Sequence, residues 1–147
     1  LDRVLNTERA FSLLSAGQKM KNNRKFGSAG EDIAAKYLEK EGYTVTGRNI
    51  HFGHIETDII CENESEILFV EVKTRTDAEF SLRFGRPASA VTKKKLENMV
   101  LCARQYLYET KCTKKPRIDV IEVYIKDEDG APTLSEKGIV HIKNVTV

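Results

Sequence analysis

The sequence predicts an α/β protein built on a mixed sheet flanked by helices. Residues 66 to 75 alternate apolar side chains on both faces of one strand, with Leu68, Val70 and Val72 pointing one way and Ile67, Phe69, Glu71 and Lys73 the other. A helical stripe of Leu96, Met99, Val100, Ala103, Tyr106 and Leu107 follows, long enough to be the crossover that a parallel strand pair requires. The order is helix, three strands joined by short turns, long helix, then two further strands, which is an α/β sandwich with its acidic positions converging near the middle of the sheet.

At 147 residues the chain suits one domain, large enough to bury roughly two thirds of its extended surface. A hydrophobic fraction of 40% with 31% charged residues excludes a disordered polymer. No apolar run approaches the ~20 residues of a membrane span, and the first 25 residues carry no signal-peptide core. No membrane partner is expected, and the expected location is the cytoplasm. A net charge of +2, from 24 basic and 22 acidic residues, neither demands nor excludes nucleic acid. Cys61, Cys102 and Cys112 are odd in number and lack metal-site spacing, so reduced thiols are expected.

Residues 1–19 are expected to form an N-terminal extension with a short amphipathic helix, Met20 being an alternative start, and 20–147 a single domain. Ser28 to Glu41 is predicted as the first helix of the domain, stopped by Gly42. Ser28 and Glu31 have capping-box spacing, so Glu31 either caps this helix or, lying on the stripe of Ala34, Ala35 and Leu38, overhangs the buried face as a functional carboxylate. Strands are expected at 43–50 and 55–61 with a turn at 51–53, and Ile55, Thr57, Ile59 and Cys61 share one face while Glu56, Asp58 and Ile60 share the other. A loop over Glu62 to Ser65 sets Cys61 opposite Glu66 and Asp58 opposite Phe69, diagonal to Glu71 at ~7 to 8 Å. Thr92 is the expected N-cap of the long helix to Thr110, followed by a strand at 117–126, a turn at 127–130 and an edge strand at 138–147.

A charged pair such as Glu71 and Lys73 on an apolar strand is most often a surface ion pair worth ~0 to 1 kcal/mol. If helices cover both faces of the sheet, burying those charges without a partner would cost several kcal/mol. Asp58 and Glu71 make a hard, oxygen-only donor pair suited to Mg²⁺ or Mn²⁺, Lys73 is placed to orient an attacking water, and Glu31 is a third carboxylate for the set. Lys93, Lys94 and Lys95 oppose the dipole of the helix they begin, which a bound phosphate would explain as well as a solvated helix end. Arg75, Arg83 and Arg86, with Phe80 and Phe84, form a loop suited to gripping a nucleic-acid backbone or stacking on a base, or else simply packing on the core. His51 and His54 flank a turn and are poor candidates for a metal pair. Arg117 and Asp119 read as a structural ion pair at a strand start. No phosphate-binding loop, nucleophile elbow or dinucleotide fingerprint is present.

These residues resemble a known family. Gly30-Glu31, Tyr37-Leu38, Gly42-Tyr43, Arg48-Asn49, Glu56-Thr-Asp58, Phe69-Val-Glu-Val-Lys-Thr-Arg75, Arg86-Pro87, Ala90-Val-Thr92, Tyr106-Leu107 and Arg117-Ile-Asp119-Val120 occur in the order and spacing of the YraN family of uncharacterised bacterial proteins. That family in turn resembles PD-(D/E)XK nucleases and archaeal Holliday junction resolvases. The likeness spans about residues 24 to 125. It implies a restriction-endonuclease-like fold, Asp58, Glu71 and Lys73 as a nuclease triad with Glu31 as an additional acidic residue, a Mg²⁺ or Mn²⁺ cofactor, and DNA, branched or structured, as substrate. By analogy with resolvases it also implies a homodimer. Ile55 stands where the family usually has glycine, and no proline precedes Asp58.

Two other classes remain open to the same residues: a noncatalytic nucleic-acid-binding or adaptor module, and an interaction protein whose charges pair internally.

Overall fold

The computed structural model describes residues 16–76 and 91–146, with side chains from residue 24 onward. Helix α1 spans Ala16–Lys40, strands β1 Thr44–Phe52, β2 Ile55–Glu62 and β3 Glu66–Thr76, helix α2 Lys93–Thr110, and strands β4 Lys115–Glu128 and β5 Ala131–Ile142. The strands form one sheet in the order β1-β2-β3-β4-β5. All neighbours are antiparallel except β3 and β4, which α2 connects as a parallel pair. Among the described residues this five-stranded mixed sheet flanked by two helices is the expected α/β architecture and is consistent with a restriction-endonuclease-like fold.

Local chemistry accounts for most boundaries. Gly42, at φ 97°, ends α1: its N–H donates to the Glu39 carbonyl at 3.1 Å while Tyr43 N–H reaches the Leu38 carbonyl at 3.0 Å. Those two bonds satisfy carbonyls that the helix leaves open, and only glycine takes this left-handed position without strain. Thr92 caps α2, its Oγ1 accepting from Lys95 N–H at 3.1 Å. Asp129 and Gly130, at φ 53° and 82°, make the tight hairpin turn between β4 and β5.

Several expectations shift. Helix α1 is continuous from Ala16, so Ser28 lies inside it and no capping box forms there. The described helix also crosses the expected extension boundary at residues 19 and 20. Strand β5 begins at Ala131 rather than 138, with a register shift opposite the segment from Val123 to Ile125. Asn63 tightens the turn before β3, its Oδ1 accepting from Ser65 N–H at 3.0 Å and Glu66 N–H at 2.8 Å. In consequence Cys61 pairs with Leu68 and Ile59 with Val70, a slide of two residues from the expected register. A slide of two preserves faces, so the carboxylates stay on one side. Asp58 and Glu71 now stand one step beyond the last pair.

The core lies on both faces of β3, which is buried along most of its length. Against α1, Ala34 and Leu38 pack on Ile59, Cys61, Leu68, Val70, Ile121 and Val123. Against α2, Met99 and Ala103 pack on Ile60, Ile67, Phe69 and Ile118, with Tyr106 edge-on to Phe69 at 5.7 Å. Alternation breaks at Asp58: Thr57, expected beside Ile59 and Cys61, is buried and donates from Oγ1 to Cys102 Sγ of α2 at 3.0 Å. Among the described residues no helix is long and apolar enough to cross a membrane.

Candidate active site

Where β2 separates from β3, the side chain of Asp58 takes over a ladder bond. Its Oδ2 accepts from Val72 N–H at 2.8 Å, which pins the carboxylate beside the stretch of β3 from Glu71 to Lys73. Burial first, then the negative charge of Glu71, pushes the Asp58 carboxyl up to about 7. The Val72 hydrogen bond and the Lys95 charge offset this only in part, and Glu31 adds to it.

Glu71 is 6% exposed and lies between two ammonium groups. Lys73 Nζ, from its own strand, stands 2.9 Å from Oε2, and Lys95 Nζ, from the first turn of α2, stands 3.2 Å from Oε1. Despite that ion pair, Oε1 is buried and accepts no hydrogen bond, because Lys95 approaches off the bonding direction. That oxygen is therefore balanced by the Lys95 charge without a hydrogen bond. With Asp58 it offers the oxygen-only donors that Mg²⁺ or Mn²⁺ prefer, so the pair fits such an ion.

Glu31 stands apart from that pair. With no capping role, its carboxylate faces Arg48 Nη2 at 3.7 Å and is hydrogen-bonded by Asn49, while Arg48 Nη1 also holds Asp32 at 2.8 Å. Burial raises the Glu31 carboxyl above its ordinary range in spite of those partners. Among the described residues no three His, Cys, Asp or Glu side chains are gathered closely enough to hold a metal. The expected set of Glu31, Asp58 and Glu71 is therefore two carboxylates plus a third whose charge acts on Asp58. Gly30 makes even this proximity feasible, since a Cβ there would lie 2.1 Å from Thr74 Oγ1 on β3.

The expected nucleic-acid contacts divide. Lys93 and Lys94 are exposed at the start of α2. Lys95 turns inward to Glu71. Arg75 is not a loop residue: it belongs to β3, is 5% exposed, and sends Nη1 to its neighbour's carbonyl at 3.5 Å, so it has no free reach to a surface phosphate. Arg83 and Arg86, with Phe80 and Phe84, lie outside the described residues.

Sequence reasoning missed two polar neighbours of the site. Glu122, 1% exposed, is level with Lys73 in the parallel β3 and β4 ladder, and Tyr124 OH donates to its Oε1 at 3.0 Å. The signal was available, since a carboxylate inside an apolar strand is what singles out Glu71 as well. At the far side of the sheet, Arg117 and Asp119 form the expected ion pair, with Nε to Oδ1 and Nη2 to Oδ2 both at 2.9 Å. His141 and the Asn144 N–H complete the shell of Asp119 at 2.8 and 2.9 Å.

Comparison with known proteins identifies the family of the chain. Residues 30–123 match the model of the uncharacterised protein family UPF0102. A UPF0102 protein of Syntrophomonas wolfei is 42% identical over 106 residues, covering 71% of this chain and 89% of its own. A UPF0102 protein of Caldanaerobacter subterraneus is 40% identical over 111 residues, covering 75% and 88%. One of Clostridioides difficile is 37% identical over 124 residues, covering 84% and 97%. The matched span begins at Gly30, takes in Glu31, Asp58, Glu71, Lys73 and Lys95, and ends in the middle of β4, so the chain belongs to the uncharacterised protein family UPF0102, the YraN family.

Proposed function

We propose that this protein is a metal-dependent, endonuclease-like phosphodiesterase acting on DNA. The observation that carries the reading is the pairing of a half-buried Asp58 with a buried Glu71: loss of solvent first, and the Glu71 charge second, lift the Asp58 carboxyl to about 7, beside a Glu71 oxygen that accepts no hydrogen bond. Like charges held together away from water are costly, and proteins keep such arrangements where a cation or a proton is handled.

A Mg²⁺ or Mn²⁺ ion held by Asp58 and Glu71 would neutralise charge on a phosphodiester and lower the pKa of a bound water. The ammonium of Lys73, fixed 2.9 Å from Glu71, orients the attacking water and stabilises negative charge on the pentacovalent phosphorus. Glu31 strengthens the local negative potential. Lys93 and Lys94 contact phosphates from the exposed first turn of α2, and Arg83 and Arg86 are further candidate phosphate contacts on the sequence reading alone. Branched or structured DNA is the favoured substrate through the resemblance to resolvases, and a homodimer accords with the two symmetric strands of a four-way junction.

The test is cleavage of linear, flapped and four-way DNAs with Mg²⁺ or Mn²⁺. Asp58→Ala and Lys73→Ala are each expected to lower the rate by at least ~10²-fold while leaving the fold and DNA binding intact. A protein that retards these DNAs, loses affinity steeply with salt and cuts none in either metal is a binding module, and the enzymatic reading falls.

A further inference from the structure

Helix α2 begins with three consecutive lysines and no acidic residue in its first turn, an arrangement that works against the helix dipole. Two of the three lysines are exposed. The third, Lys95, spends its charge on Glu71, which Lys73 already neutralises from the other side. The Lys95 side chain is 35% exposed against 7% for Glu71, so it sits at the mouth of the site and has solvent to retreat into. Its contact with Oε1 is an ion pair without a hydrogen bond, and a partly exposed pair of that kind contributes little to stability.

We propose that Lys95 is the resident counter-ion of the metal position: its ammonium neutralises Glu71 Oε1 in the metal-free protein, yields that oxygen to the divalent ion, and is then turned toward substrate phosphate. This rests on the metal-dependent reading above and adds a coupling to it. Metal and Lys95 compete for one oxygen, and the displaced ammonium increases the positive charge offered to DNA only once the metal is in place. Lys73, which holds the other oxygen from within β3, does not share this role.

Mn²⁺ binding by calorimetry and thermal midpoints with and without Mn²⁺ test the idea on the wild type, on Lys95→Gln, and on Arg104→Gln as a charge-matched control on an exposed position of α2. Lys95→Gln is expected to bind Mn²⁺ roughly two- to fivefold more tightly, in keeping with the loss of a partly exposed ion pair. Its midpoint is expected to lie below that of the wild type without metal and to draw level with it at saturating Mn²⁺, while Arg104→Gln follows the wild type throughout. Wild-type binding that Lys95→Gln leaves unchanged or weakens overturns the inference and spares the metal site. No binding by either protein overturns both.

Discussion

The backbone of Gly30 lies so close to Thr74 that a Cβ on the glycine would stand 2.1 Å from Thr74 Oγ1, 3.1 Å from its Cβ and 3.3 Å from its Cγ2. Rotating the threonine exchanges one clash for another, so α1 has to move off β3. Gly30→Ala is therefore expected to destabilise by about 1 to 3 kcal/mol, more than the ~1 kcal/mol that alanine gains in a helix interior. Thr74→Ala in the same chain should restore most of the loss. Urea denaturation of the two single variants and the double variant measures the coupling; strictly additive effects would show that the close approach is not what constrains Gly30.

A second expectation concerns pH. Asp58 titrates near 3.8 when unfolded and near 7 when folded, because burial and Glu71 disfavour its charged form. The folded chain thus holds the proton more tightly, and the stability this contributes is complete below about 3.8 and lost as pH rises through about 7. Without divalent metal, the thermal midpoint should fall between about pH 4 and about pH 7. In Asp58→Asn the slope should flatten and the midpoint at the alkaline end should exceed that of the wild type. An unchanged slope would mean that Asp58 ionises freely in the folded protein.

Asp119 has the opposite sign. Burial alone would raise its carboxyl, but hydrogen bonds from His141, Arg117 and the Asn144 N–H outweigh this and hold it below the usual 3.8. Its stabilisation is present above that value and lost as pH falls through the lowered one. Asp119→Ala leaves a guanidinium without its buried partner and should cost about 3 to 5 kcal/mol in urea unfolding. His141→Ala removes one neutral or charged partner and should cost about 1 to 3 kcal/mol. Neither change should alter Mn²⁺ affinity at Asp58 and Glu71, which separates this structural network from the candidate site.

The fold was legible because its signals are local. Gly42, Thr92 and the Asp129-Gly130 turn each act on backbone groups within a few residues, and the apolar stripe of α2 follows the helical period. Ser28 and Glu31 show where local reasoning misleads: the spacing is that of a cap, yet the residues before Ser28 continue the helix and override it. The β2 and β3 register was off by two because Asn63 folds its side chain into the turn and shortens the loop. Asp58 and Glu71 survived that error on a common face, whereas a slide of one would have separated them.

By itself the sequence determined which carboxylates and which amine share one face of a strand pair, since alternation along a strand needs no knowledge of distant chain. Only the tertiary structure decided that Lys95 turns inward to Glu71, that Arg48 and Asn49 hold Glu31, that Arg75 is buried and that Glu122 stands level with Lys73. Those pairings join elements far apart in sequence. Their partners are chosen by how the start of α2 and the middle of α1 settle on opposite faces of the sheet, and long-range packing of that kind leaves no periodic trace in the residues themselves.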